Sequence, residues 1–348
     1  LFTFLLRRLI LLIPTFFGIT LISFVIINLA PGSPIEQKIQ ALRFGSQGGS
    51  SGGGGGASSS GERATVNLNE DVIEALKKQY GFDKPIHERY LIWLKNLARF
   101  DFGDSFTYEE PVLDVIISKF PVSLQFGVAS LILSYLICIP LGIAKGVKAG
   151  GTFDTFSGLF LYFLYAVPPL VLGVFLITFF AGGSYFSWFP TGLLHSDDYD
   201  SLVGFAKIQD RIHHFVLPLT TYVIGGFAEL TLLMRNSLLD VIKQDYIRTA
   251  RAKGLAEKAV LFKHALRNAL IPIAVNLGGF LQVFLAGSLI VETLFQLDGL
   301  GLLGYKSILA RDYNVIMGLI FFSSVTLMAG RLLTDIAYVL IDPRIDFK

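Results

Sequence analysis

Residues 235–270 read RNSLLDVIKQDYIRTARAKGLAEKAVLFKHALRNAL, and this stretch carries eight Lys or Arg. It joins two runs, Ile212–Ala228 and Asn268–Val291, that contain no Asp, Glu, Lys or Arg. A strongly basic segment hung between apolar runs of that length is the pattern of a membrane protein's inner loop. The composition agrees. Charged residues make up 16% of the 348, hydrophobic residues 53%, and mean hydropathy is +0.60, whereas soluble chains average about 25% charge.

Four further uncharged runs extend the pattern outward: Leu9–Ile35, Phe120–Ala144, Thr155–Ser196 and Tyr313–Gly330. A bilayer core of about 30 Å takes roughly 20 apolar residues of helix, because backbone groups in lipid must bond internally. Six spans are expected, near 9–30, 122–144, 156–181, 214–234, 270–291 and 316–340. The third run is long enough for two helices; Pro168-Pro169 and Gly182-Gly183 are read as a kink followed by an exit into a loop. The segments that six spans place on one side hold Arg7, Arg8, Lys145, Lys148, the eight cations of 235–267, Arg344 and Lys348. The short loops opposite hold only Lys207, Arg211, Lys306 and Arg311, so both termini are expected in the cytoplasm. Arg7-Arg8 would suit a signal peptide, but the apolar run that follows exceeds a 7–15-residue h-region, which favours a retained first helix over 1–30.

The outer loop 31–121 divides in two. Residues 45–61 (GSQGGSSGGGGGASSSG) form a Gly/Ser tract without core-forming side chains. Over 62–119 a small helical cap outside the membrane is expected. Asn69 caps a helix over 70–80; Pro85 opens one over 85–99 with Ile86, Tyr90, Trp93, Leu94 and Leu97 on one face; a third fits 111–119. A lid and a docking face for an outer partner are both open readings of it. The remainder, 122–348, is a five-helix core containing the inner loop 235–269.

That inner loop reads as two short amphipathic helices meeting at Gly254. Ile242, Tyr246, Ile247 and Ala250 form one apolar stripe, and Val260, Leu261, Ala265 and Leu266 a second. Gly254 supplies the left-handed turn between them. A lipid contact or a bare topology signal competes with a functional role. A nucleic-acid helix-turn-helix is disfavoured, because between two spans it would be pinned at the bilayer, and net charge is only +2. Several chemistries are absent from the sequence. Gly299–Ser307 imitates a phosphate loop, but Tyr305 stands before Lys306 where Gly-Lys is needed. Cys138 is the single cysteine, and the five His (87, 195, 213, 214, 264) lack metal-ligand spacing.

Tyr246-Ile-Arg-Thr-Ala-Arg-Ala-Lys-Gly254 followed by His264-Ala-Leu-Arg-Asn-Ala269 resembles the cytoplasmic EAA loop of ABC-importer permeases of the oligopeptide/dipeptide family. Ala250, Gly254 and Leu266 match the generic pattern; Arg248, Thr249, His264 and Arg267 depart from it as the peptide branch does. Leu5–Pro34, Asp101-Phe-Gly-Asp-Ser105, Gly299-Leu-Gly301, Arg311-Asp-Tyr313 and Asp342-Pro-Arg-Ile345 are similar to the family's recurrent segments. Asn314 replaces a usual Pro, which is expected to loosen one outer turn. Tyr80–Tyr90, Phe180–Phe186 and Ile345-Asp-Phe347 narrow the resemblance to the YejB-type branch. It implies an all-α polytopic membrane protein with the type I ABC-importer permease fold of six transmembrane helices. It further implies a subunit that moves peptides across the bacterial inner membrane, binds no cofactor of its own, and takes energy from ATP and Mg held by separate ATP-binding subunits. A second homologous permease subunit, in a heterodimer, and a periplasmic peptide-binding protein would complete the assembly in the lipid bilayer. The loop would couple to the ATPase through Tyr246, Arg248, Ala250, Arg251, Lys253, Gly254, Leu255, Phe262 and Leu266.

Among charges within the spans, Glu229 stands near mid-bilayer, where insertion costs roughly 2.5–3.5 kcal/mol. A pathway residue and a carboxylate reaching headgroups or a bundle partner are the competing readings. Arg331 and Asp335, four apart, are expected to pair. Alternatives to a peptide permease are a permease for another solute such as nickel and an ion-driven secondary transporter. An intramembrane enzyme lacks its GxSxG, paired Asp or HExxH.

Overall fold

A computed structural model of the chain describes residues 2–29, 84–181, 185–276 and 287–341. The expected helix over 70–80, the Gly/Ser tract 45–61 and much of the expected fifth span (277–286) lie outside the described residues. Those described are helical with irregular connections, apart from an isolated bridge between Asp104 and Pro111.

Among the described residues, four helices are long and apolar enough to cross a bilayer: α1 (Phe2–Leu29), α3 (Val112–Val147), α6 (Phe205–Ile242) and α11 (Tyr313–Ile341). They run through Pro14, Pro121, Pro140 and Pro218 without a break, as membrane helices do when neighbours satisfy the freed carbonyls. For that reason residues 112–119, expected as a separate cap helix, are the first turns of α3. The cap helix α2 (Ile86–Leu97) stands where Pro85 places it.

The expected third span is two helices, α4 (Thr152–Ala166) and α5 (Pro169–Phe180), crossing at 94°. Val167 and Pro168 each precede a proline, and both adopt extended ψ, 117° and 140°. A residue before proline is pushed out of the α region, so two in succession break the helix instead of kinking it.

α6 holds 38 residues, about 57 Å at 1.5 Å per residue, and therefore projects well beyond a bilayer. The inner loop expected from Arg235 begins as its last two turns. α7 (Asp245–Ala252) follows, then α8, built of Glu257–Ala259, a π-helical Val260–Ala265 and Leu266–Ala269. Residues 271–276 are helical, and α9 (Leu289–Leu294) and α10 (Leu300–Leu309) precede α11.

The chain divides into two compact units. One comprises 13–118 and 304–321. There Tyr90 and Trp93 of α2 pack on Phe24 of α1, and the Tyr90 hydroxyl lies 3.0 Å from Thr20 Oγ1. Two of the recurrent segments meet in it. Ser105 Oγ donates to Asp312 at 2.5 Å, and Asp312 also accepts from the backbone N–H of Thr107 and Val315, capping α11. Asn314 does not loosen its turn: its Nδ2 donates to the Asp104 carbonyl at 2.8 Å, a bond proline cannot make.

The other unit comprises 1–12, 119–303 and 322–348. One core cluster gathers Cys138, Met234 and Leu238 with the inner loop; another gathers Phe126, Leu217, Val291, Phe295 and Leu297. Asp335, expected to pair with Arg331, has a different partner: Arg8 Nε at 3.3 Å.

Candidate functional site

α7 starts where Gln244 is extended and Asp245 places a carboxylate in the first turn, and it ends at Gly254, whose φ of +76° closes the turn with an N–H bond to the Arg251 carbonyl. Ile247 and Ala250 on its inner face are buried with Val260, Ala265, Ala269 and Ile273, against Met234 and Leu238 of α6 and Cys138 of α3. Leu266 packs on the edge of the same cluster. Ser237 Oγ donates to the Ala269 carbonyl at 2.7 Å, joining α6 to the end of α8. Except for Tyr246, which is exposed, the apolar stripes expected from the sequence thus form one core, which makes the loop a solid projection of α6 and α3.

The nine residues expected to couple are thereby sorted. Ala250 and Leu266 face inward and position the others. Tyr246, Leu255 and Phe262 are exposed by 42%, 42% and 58%, and Arg248, Arg251 and Lys253 are exposed beside them. Arg248 lies 3.6 Å from Asp245 and Arg251 2.8 Å from Glu257, pairs too open to water to fix the side chains firmly. Large apolar groups ringed by cations on a rigid projection suit a protein partner's groove better than water. The π turn, a feature no propensity signalled, tends to mark functional positions; Phe262 and Lys263 are exposed on it. Tyr246 accepts a 2.7 Å bond from Asn268 and lines an open groove of about 510 Å³ with Leu233, Asn236, Asp240 and Pro272.

Glu229 is on an exposed face of α6, and an added Cβ at neighbouring Gly225 or Gly226 would meet nothing within 4 Å. The carboxylate therefore points away from this chain's own core. No group of three or more potential metal ligands occurs among the described residues.

Two polar clusters went unread in the sequence. Asp154 at the start of α4 takes a two-pronged bond from Arg235 of α6 (2.8 and 2.6 Å) and a 3.0 Å contact from Lys145 of α3. Lys145 is 1% exposed and also donates to the Asp154 carbonyl and Ser157 Oγ. The sequence showed these three only as charges bounding apolar runs; the one available signal was Gly142-Ile-Ala-Lys-Gly146, a close-packing spacing. The second cluster surrounds Glu292, fully buried in α9, which accepts from Ser123 Oγ, Ser288 N and Leu302 N at 2.8, 3.2 and 2.9 Å. A Cβ at Gly287 or Gly299 would lie within 2.6 Å of that carboxylate, so the Gly299-Leu-Gly301 segment is shaped around an acid.

The sequence pattern of the family described as "Binding-protein-dependent transport system inner membrane component" matches residues 138–347. The chain is 47% identical to the peptidoglycan transport system permease protein YejB of Agrobacterium fabrum, over 99% of this chain and 98% of that one. It is 44% identical to the inner membrane ABC transporter permease protein YejB of Escherichia coli O157:H7, over 99% of both. The oligopeptide transport system permease protein AppB of Bacillus subtilis is 36% identical, again over 99% of both.

Proposed function

The chain belongs to the binding-protein-dependent transport system inner membrane component family, and we propose that it is the peptide-translocating permease subunit of an ATP-driven importer. Its α7–α8 projection seats in an ATP-binding subunit, and a second permease completes the pathway. Both termini lie in the cytoplasm, and a periplasmic binding protein delivers peptide from the other side. ATP and Mg are bound by the partner subunits alone. The observation that carries this reading is the projection itself. Three exposed apolar side chains and three cations stand on a loop whose inner face is welded into the core of α3 and α6, so force applied to the loop is delivered to membrane helices.

Cysteine at Ala256, in the exposed turn between α7 and α8, tests it. In the complex reconstituted with its ATP-binding subunits, this cysteine should crosslink to a cysteine in their groove and labelled peptide should be taken up. No crosslink in any nucleotide state defeats the reading. A second substrate class has one specific support, the name of the Agrobacterium relative. Uptake of peptidoglycan-derived peptides in preference to linear ones would favour it.

A further inference from the structure

We propose that Asp154 is a positioning residue for transport: clamped by Lys145 and Arg235, it makes α4 and α3 move with α6 when the α7–α8 projection is displaced. The proposal rests on the coupling reading above and adds the route by which motion enters the membrane.

The clamp sits where α3 and α6 pack closely. An added Cβ at Gly142 would lie 2.6 Å from Met234, and one at Gly146 2.9 Å from Leu238. Lys145 stands between those glycines and Arg235 between those partners, so packing and charge meet at one level. Each charged group is committed. Asp154 accepts both prongs of Arg235, the Lys145 ammonium and the Gly150 N–H. Lys145 has three oxygens within 3.0 Å. A bidentate guanidinium–carboxylate pair fixes orientation as well as distance, and separating buried partners leaves charge without solvent. α6 therefore cannot slide or turn against α3 and α4 at this level without breaking the group. Beginning half a turn further along at Ser237, the same helix hands over to the projection through that residue's bond to Ala269 and the shared core. α4 in turn ends at the right-angled break before α5, where displacement of α4 can change the elbow. Buried ion pairs add little net stability, and fixing registry is their best-attested use, which is what a transmission joint needs.

The test uses the full complex in liposomes, each variant carrying the Ala256 cysteine reporter. Asp154→Asn keeps the shape and removes the charge; Arg235→Lys keeps the charge and removes the fork. Both should assemble, crosslink to the ATP-binding subunit and retain ATP hydrolysis. Peptide taken up per ATP hydrolysed should fall by about fivefold or more in Asp154→Asn, the lower end of usual coupling between sites, with Arg235→Lys intermediate. An unchanged ratio in either assembled variant overturns the proposal. Should Asp154→Asn fail to assemble, Arg235→Lys decides alone; failure of both makes the clamp a folding element and overturns it too. Loss of the crosslink in the unmodified clamp background instead removes the coupling reading, and this role with it.

Discussion

At the scale of single residues, Gly254 and Glu292 show two ways in which a position is fixed. Gly254 is held by backbone conformation alone: φ is +76°, while an added Cβ would meet nothing within 4 Å. Left-handed backbone costs an L-residue about 1–2 kcal/mol, and a β-branched side chain resists it most. Gly254→Val should insert normally yet lose peptide uptake, whereas Gly254→Asn should keep most of it, since asparagine tolerates that region. Equal loss in both would mean that space, not φ, is limiting. Glu292 is fixed by its donors. Ser123→Ala removes one of several donors to the carboxylate and the acceptor of the Leu300 N–H, leaving that buried N–H unpaired at about 1–3 kcal/mol. The midpoint of thermal unfolding in detergent should fall, and an unchanged midpoint would mean that water replaces the hydroxyl. For Glu229, exposed on α6, Glu229→Gln should alter uptake across a peptide panel without reducing insertion; identical uptake would return it to a passive surface role.

Elements differ in which face does the work. α7 and α8 each turn one side into the core and the other outward, so substitutions on the two sides should separate. Ile247, fully buried, is a stability position: Ile247→Ala should cost about 2–5 kcal/mol and loosen the projection as a whole. Phe262 is 58% exposed, and Phe262→Ala should shift unfolding by less than about 0.5 kcal/mol. As a docking anchor it should nevertheless weaken association with the ATP-binding subunit by about 2 kcal/mol, measurable by pull-down titration. Lost stability without lost association in Phe262→Ala would place the docking face elsewhere. The α4–α5 break belongs to this scale as well, for it falls at two consecutive residues that each precede a proline.

For the whole molecule, the sole cysteine is an experimental convenience, because Cys138 is fully buried and should contribute little background labelling. With new cysteines at Ala256 and at Val203, which is 83% exposed, impermeant reagent should reach the first only from the cytoplasmic side and the second only from outside. Labelling of both from one side would refute the proposed topology. If the ATP-binding subunits alone hold ATP, the chain purified by itself should hydrolyse none above an empty-vector preparation.

The sequence by itself determined the membrane class, the basic loop 235–269 and most of the helical stripes that fold against the core. These are statements about composition and period, and lipid admits few structures for uncharged runs of such length. It also located Gly254, because a helix stop is a local event. What it could not determine was who meets whom. Asp154 and Arg235 lie 81 positions apart, and Ser123 stands 169 positions from Glu292. Their charges read as boundaries of apolar runs until the fold brought them together. Likewise, Asn314 gained its partner, and Asp335 its Arg8, from across the chain. Local pattern sets which helices form and which way each faces; buried charges take partners only when packing places them beyond the reach of water, and that is decided by the tertiary structure.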